Sequence, residues 1–278
     1  MSDAAFDLDA YFARVHLPAR PSVDHLGLGV LQRAHRLAIP FENLDVLLGR
    51  GIAIDSASVF AKLVTAGRGG YCFEHNRLFL DALLALGFDA RPLLARVWIA
   101  ATDVPPLTHT FSLVTIGEEQ WIADTGFGGS YTPPMPLIDG AQATAPDGAL
   151  FRLDRAGEHG WMLLRDGDLA TTDGRGSGTG FQPQYSFETR PVFAADLALS
   201  NHWTSTAPVS RFLHTGVVSI VLPNGFASLT DTTYKRRAGS DETRAEITDP
   251  RVYRLRLSMM FGITLSAEEV AALGVVAG

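Results

Sequence analysis

With 278 residues, of which 46% are hydrophobic and 19% charged, and with 16 Phe and 4 Trp, the chain is long and apolar enough for a large globular core and is not a disordered sequence. A formal charge of -7 argues against a polyanion-binding surface, so no nucleic-acid partner is expected, and no run of about 18 apolar residues is present to span a membrane. The single cysteine excludes an internal disulfide and a cysteine-based zinc site; with an acidic, amphipathic start unlike a signal peptide, it makes a cytoplasmic protein without a metal the expectation.

The first ninety residues read as helical. Ser22 is expected to cap a helix with Val23, Leu26, Val30, Leu31, Ala34 and Leu37 on one face, stopped by Pro40. Asp55 or Ser56 starts another, with Val59, Phe60 and Leu63 inward and Gly67 just past its end. A third begins near Cys72, runs through Phe79, Leu80, Leu83 and Leu84, and stops at Gly87. The period then changes. Segments 90–99, 108–116, 120–124, 151–153, 161–165 and 185–188 are short, apolar or alternating, and punctuated by Gly, Pro and Asp, which predicts a mostly antiparallel β region. The run 167–180, GDLATTDGRGSGTG, reads as a long mobile loop. Beyond Pro191 a helical turn at 193–201 precedes strands at 217–222 and 226–230, the basic run Lys235-Arg236-Arg237 reads as a solvated turn, and Ser266 with Glu269 forms a capping box for a last helix. The expected class is α+β in three parts: helical residues 1–90, β residues 91–190 and a smaller mixed part, 191–278.

The one thiol lies in GRGGYCFEHN, residues 67–76. Gly67, Gly69 and Gly70 open backbone paths closed to other residues, and a helix starts immediately afterwards. Cys72 in that first turn would meet unpaired N–H groups and the positive end of the helix dipole, both of which favour a thiolate. A reactive thiolate also needs a base and a group to orient the base.

Of the eight histidines, His75 lies one turn along the same helix and is expected to pack or bond locally in its neutral form. His25, His35, His159, His202 and His214 occupy ordinary helical, turn or loop contexts, and His16 precedes a Pro-containing turn. His109 differs: in THTFSLVTI, alternation places it on the face of Phe111 and Leu113, a polar ring on the apolar side of a strand. Asp124 ends the next strand, QWIAD. A tight turn at Ile116-Gly117 sets Asp124 directly opposite His109, whereas a turn centred on Glu118 leaves it about three positions off and requires a bulge. Periodicity does not choose between the two.

These residues together, RGGYCFEHN, IPFENLD (39–45), the His109 and Asp124 strands, GFGG (126–129) and NHWTSTAPVSRF (201–212), resemble the arylamine N-acetyltransferases from about residue 30 to about residue 230. The resemblance implies a helical bundle, an antiparallel β-barrel and an α/β lid around a core similar to that of papain-like cysteine proteases. It implies Cys72 as acyl acceptor, His109 as base and Asp124 as the residue that orients it. Gly126, Phe127 and Gly128 match the turn along the coenzyme arm, and Trp203 is carried with them. Phe41, Val97, Phe127 and Trp203 match an acceptor pocket, and Arg68 with Glu42 a structural ion pair. The implied reaction is N-acetylation of arylamines and arylhydrazines, or O-acetylation of N-hydroxyarylamines, with acetyl-coenzyme A as a consumed co-substrate. Thr125, and the Thr-Phe after His109, depart from the family's usual residues. A cysteine hydrolase with the same triad and a polyketide amide synthase are the alternative chemistries.

Overall fold

The computed structural model describes residues 6–129, 131–172 and 179–276. Its N-terminal part contains α1 (Leu8–Arg14), α2 (His25–Ala38), strand β1 (Phe41–Glu42), α3 (Leu44–Leu47), α4 (Ser56–Phe60) and α5 (Cys72–Leu86). A π turn, Ala61–Thr65, extends α4, and Gly67 follows it at φ +68°, the left-handed position expected of a helix-ending glycine. Tyr11, Leu28, Leu31, Leu63, Phe79 and Leu83 form the helical core, which also packs on Val114 and Ala123 from the β region.

The face expected of α2 is corrected. Asp24, not Ser22, caps it, and Val23, Leu26 and Val30 are half or more exposed. The buried stripe is Leu28, Leu31, Gln32, His35 and Arg36, so three polar side chains turn inward, and each has a hydrogen-bond partner there.

Strands β2 (Asp89–Val97), β3 (Leu107–Ile116), β4 (Glu119–Ala123), β5 (Met135–Pro136), β6 (Ala141–Thr144), β7 (Leu150–Arg155), β8 (Trp161–Asp166) and β9 (Gln182–Phe187) form an antiparallel sheet in the order β5-β4-β3-β2-β9-β8-β7-β6. Its two edge strands approach each other, so the sheet nearly closes into a barrel around Leu93, Phe111, Phe151, Leu163, Tyr185 and Phe187. Within the stretch read as a long loop, Leu169–Thr171 forms a 3-10 turn, and residues 173–178 lie outside the described residues.

The C-terminal part is richer than the sequence reading. Beyond α6 (Ala194–Thr206), β10 (Val217–Leu222) and β11 (Gly225–Thr230), it has β12 (Thr233–Ala238), β13 (Asp241–Glu246), α7 (Pro250–Phe261) and α8 (Ala267–Ala272), the last with the expected Ser266–Glu269 capping box. Lys235, Arg236 and Arg237 therefore lie in a strand, not a turn, and Arg237 pairs with Asp168 at 2.6 Å. This sheet runs β1-β10-β11-β12-β13, so Phe41 and Glu42 from the N-terminal part supply an edge strand to the C-terminal part. Asn43 stitches the same seam: its amide donates to the carbonyls of Phe212 and Thr215 and accepts from the Val217 N–H. Among the described residues no helix is long and apolar enough to cross a membrane.

Candidate active site

The RGG segment is held from both sides. Arg14 donates to the carbonyls of Leu63, Ala38, Gly67 and Arg68, covering helix ends that would otherwise be left without partners. Gly69 has no room for a side chain: a Cβ there would lie 2.2 Å from the Pro40 carbonyl oxygen. Arg68 bonds Glu42 at 2.7 Å and Asp45 at 3.3 Å, as the implied ion pair requires. Lys62, on the π turn, bonds Asp45 and Glu74, each at 2.7 Å. Glu74 in turn accepts the Tyr71 N–H at 3.0 Å, anchoring the residue before Cys72. Burial pushes the Glu74 carboxyl up to about 7 against the pull of Lys62.

Cys72 is the first residue of α5, 4% exposed, with its Sγ 3.7 Å from the Thr108 carbonyl oxygen. Two influences oppose each other at this thiol. Burial and the Asp124 carboxylate push it up, and the backbone N–H groups of Phe73, Thr110 and Cys72 pull it down. Burial is the largest of these influences and the net direction is upward, a desolvation that the sequence alone did not weigh against the N–H groups.

His109 and Asp124 meet as a buried pair, Nε2 to Oδ2 at 2.7 Å, which leaves Nδ1 as the ring's other nitrogen. The hairpin register falls between the two alternatives. The turn is Gly117-Glu118, closed by Ile116 opposite Glu119, and the last pair is Ser112 with Ala123. Continued by one residue, Asp124 falls opposite Phe111, two positions from His109. Two is the side-chain period of a strand, so both groups share a face and the hairpin needs no bulge. A register shift does occur on the other edge of β3: Ala95 pairs with His109 and Arg96 with Leu107, leaving Thr108 as the extra residue. The carbonyl beside Cys72 thus belongs to the bulged residue.

Both carboxylate oxygens and the N–H of Asp124 are hydrogen-bonded. Gly126 N–H donates to Oδ1 at 2.8 Å and Asn76 Nδ2 to Oδ1 at 3.2 Å, while the Asp124 N–H donates to Gln32 at 3.1 Å. Burial pushes its carboxyl up, but His109, the Gly126 N–H and Asn76 together hold it below its ordinary range. Asn76 also donates to the Thr110 carbonyl at 2.6 Å and accepts from the N–H and hydroxyl of Thr125, tying α5 to both strands of the hairpin. No single-residue signal marked Gln32, Asn76 or Arg36. A polar group falling on the apolar stripe of a helix was the available sign.

His75 is buried and neutral, as expected, though by burial and the Arg36 charge more than by the helix end; these push it down to about 3. His35, read as ordinary, belongs to the same chain of bonds. Tyr11 hydroxyl to His35 Nδ1 is 3.0 Å, His35 Nε2 to His75 Nδ1 is 2.9 Å, and His75 Nε2 to the Pro40 carbonyl is 3.0 Å. A carbonyl only accepts, so both rings carry their proton on Nε2 and Tyr11 donates.

Phe127 is half-buried with its ring edge-on to His109 at 5.1 Å and to Tyr185 at 5.0 Å. Phe41 packs in one cluster with Cys72, Tyr71 and Leu94. Val97 faces Tyr185 across the β2–β9 ladder. Trp203 is half-buried on α6, two residues past Asn201, whose side chain bonds the Tyr71 hydroxyl. The structure thus gathers Cys72, His109, Asp124, Phe127 and Phe41; Val97 joins through the strand ladder, and Trp203 stands on the neighbouring helix. The glycine turn is filled by the protein itself: a Cβ on Gly126 would meet Cys72 Cα at 2.7 Å, and one on Gly128, at φ +81°, the Phe41 ring at 3.1 Å. A cleft of about 590 Å³, lined by Leu94, Arg96, Leu107, Phe187, Val192 and Leu199, borders the Cys72 cluster through Leu94 and Val192.

A family model described as N-acetyltransferase matches residues 26–270. The arylamine N-acetyltransferase of Escherichia coli strain K12 is 39% identical over 220 residues, covering 78% of this chain and 74% of its own. The solved arylamine N-acetyltransferase of Salmonella typhimurium superposes with a TM-score of 0.86 at 33% identity, over 96% of this chain and 97% of that one. The Mycobacterium marinum enzyme, solved in complex with CoA, superposes at 0.85 with 28% identity, over 98% of this chain and 100% of that one.

Proposed function

The chain belongs to the arylamine N-acetyltransferase family, a family of acyltransferases, and from that premise we propose that it transfers an acetyl group from acetyl-coenzyme A to the nitrogen of arylamines and arylhydrazines through a thioester on Cys72. One observation carries the reading: the lone cysteine opens a helix against the residue preceding His109, and His109 is bound at 2.7 Å to a buried carboxylate. In this organisation residues 1–90 supply the nucleophile, 91–190 the base and its partner, and 191–278 the closing layer.

In the first half-reaction the Cys72 proton passes to His109 as sulfur attacks the thioester carbonyl, and coenzyme A leaves as its thiol. One thioester replaces another, so little free energy is needed. Proton transfer from sulfur to imidazole leaves the net charge of Cys72, His109 and Asp124 at one negative, so burial does not forbid it as it forbids a lone thiolate. In the second, the neutral amine attacks the acetyl carbon, the C–S bond breaks, and the amine's proton returns through His109 to sulfur. First-turn N–H groups stabilise the oxyanion in both halves. Phe41, Val97, Phe127 and Trp203 offer apolar walls for a flat acceptor, and the turn 126–129 borders the donor.

The test is mass spectrometry of the protein after acetyl-coenzyme A alone. A single added acetyl group on Cys72 is expected, stable in water far longer than one turnover with an aniline-type acceptor, and initial rates at several acceptor concentrations should give parallel lines. An acetyl-enzyme that decays equally fast with and without amine would make the protein a hydrolase; an acetyl group elsewhere would remove Cys72 from the mechanism.

A further inference from the structure

The side of the Asp124 turn away from His109 rests on α2. Arg36, 4% exposed, donates from Nη1 to the Thr125 carbonyl at 3.1 Å and from Nη2 to the Gly129 carbonyl at 2.6 Å. Its fork thus spans the whole turn that follows Asp124, and the Asp124 carboxylate favours the guanidinium's charged form. Gln32, one turn earlier on the same face, holds the Asp124 N–H and the Thr132 carbonyl. A guanidinium this deeply buried is costly unless its donors are satisfied and an opposite charge lies within reach; the two carbonyls satisfy the fork, and the Asp124 carboxylate favours its charged form.

We propose that Arg36 is a positioning residue for acyl transfer: its fork sets the turn that carries Asp124, and its charge offsets the Asp124 carboxylate that holds the His109 ring. This rests on the reading of Cys72, His109 and Asp124 as the reacting set. An unopposed buried carboxylate at 2.7 Å would hold a proton on the imidazole tightly, and a base that is already protonated cannot take the thiol's. A cation bound to the turn that carries the carboxylate weakens that hold without touching the hydrogen bond. Burial lowers the Arg36 guanidinium only to about 10, so it stays charged at neutral pH. The other groups facing this region are neutral: His35 on α2 and His75 on α5 are both pushed down by burial, and the phenols of Tyr131 and Tyr185 are pushed up by it. Arg14, from α1, acts on His35 and His75, and Arg33 on Tyr131. Arg36 is therefore the cation set against Asp124.

The experiment is the pH dependence of Cys72 alkylation by iodoacetamide in the wild type and in Arg36→Met, Arg36→Lys and His109→Gln, each first checked for a cooperative melt. Arg36→Met should move the acid limb upward by about one pH unit, the size of one buried charge removed at short range. Arg36→Lys keeps the charge but presents one nitrogen where the planar fork presents two at a fixed spacing, so its acid limb should stay in place while the plateau rate falls at least about threefold. An Arg36→Met limb within about 0.3 units of wild type would overturn the electrostatic role. An unchanged Arg36→Lys plateau would overturn the positioning role, and that arm decides the matter if Arg36→Met does not fold. His109→Gln separates the two levels: if the acid limb survives in it, the limb is not His109's and the reading of the reacting set fails, whatever Arg36 does.

Discussion

Acid should weaken this fold through a specific pair of rings. His75 is buried, accepts from His35 and donates to Pro40, and has no site left for a second proton; burial and Arg36 push it down to about 3. An unfolded histidine titrates near 6.5, so between these values the unfolded chain binds a proton that the folded chain refuses. The sign follows: the contribution is fully present above about pH 6.5 and is lost as the pH falls toward about 3. Between pH 7.5 and pH 5 the loss from His75 alone is about 2 kcal/mol, taking 1.36 kcal/mol per unit below the unfolded value. His35, also pushed down by burial, adds to it in the same direction. Urea titrations at pH 7.5 and 5 measure the difference, and His75→Gln, which keeps a donor for Pro40 without a titrating ring, should lose about 2 kcal/mol less than wild type over that interval. The same pH sensitivity in His75→Gln and wild type would show that the ring is hydrated or reorients on protonation, and the reasoning would fail.

Gly126→Ala places a methyl 2.7 Å from Cys72 Cα and 2.6 Å from Asn76 Nδ2, so the turn must leave the nucleophile's helix; thermal melting should drop by several degrees and iodoacetamide alkylation should slow, and alkylation at the wild-type rate would mean the turn relaxes freely. Lys62→Met leaves Asp45 and Glu74 without the cation each bonds at 2.7 Å, which should cost about 3 kcal/mol in denaturant titration. Adding Glu74→Gln should recover part of that loss, and no recovery would mean the two charges are not coupled.

The proposed nucleophile was legible because its surroundings are improbable: three glycines, one cysteine and a helix start within ten residues. His109 was legible through alternation, since a polar ring on the Phe111 face is an anomaly that a two-residue period exposes. Asp124 was legible as a residue but not as a register, because the turn at Gly117-Glu118 differs from its alternatives by a single position. The bulge at Thr108 left no sequence mark; it appears only when β3 is paired on its other edge. The face of α2 was misjudged because Val23, Leu26 and Val30 outweigh the true stripe in any count of apolar residues, while Gln32, His35 and Arg36 register as solvent-facing. In the C-terminal part, β13 is DETRAE, whose side chains are almost all exposed, and α7 spaces Tyr253, Leu257 and Phe261 among three arginines; charge hid both elements.

What α2 does for the site follows from how the proposed reacting groups are divided. Cys72 is carried by a helix, and His109 and Asp124 by a hairpin, so neither element fixes the distance between them. Asn76 makes one direct tie, from the second turn of α5 to Thr110, Asp124 and Thr125. The second tie passes through α2: Gln32 and Arg36 grip the Asp124 turn, and His35, on the same face, grips His75 on α5. A helix is stiff over one turn, so these three contacts transmit position between α5 and the hairpin without crossing the cleft. The same logic requires that the grips be polar. Apolar contacts would hold α2 in place but would let the turn and the ring slide, whereas bonds to named backbone atoms fix both the register and the tautomer. A large share of the inward face of α2 is therefore spent on hydrogen bonds, and its apolar surplus is left on the outside at Leu26 and Val30.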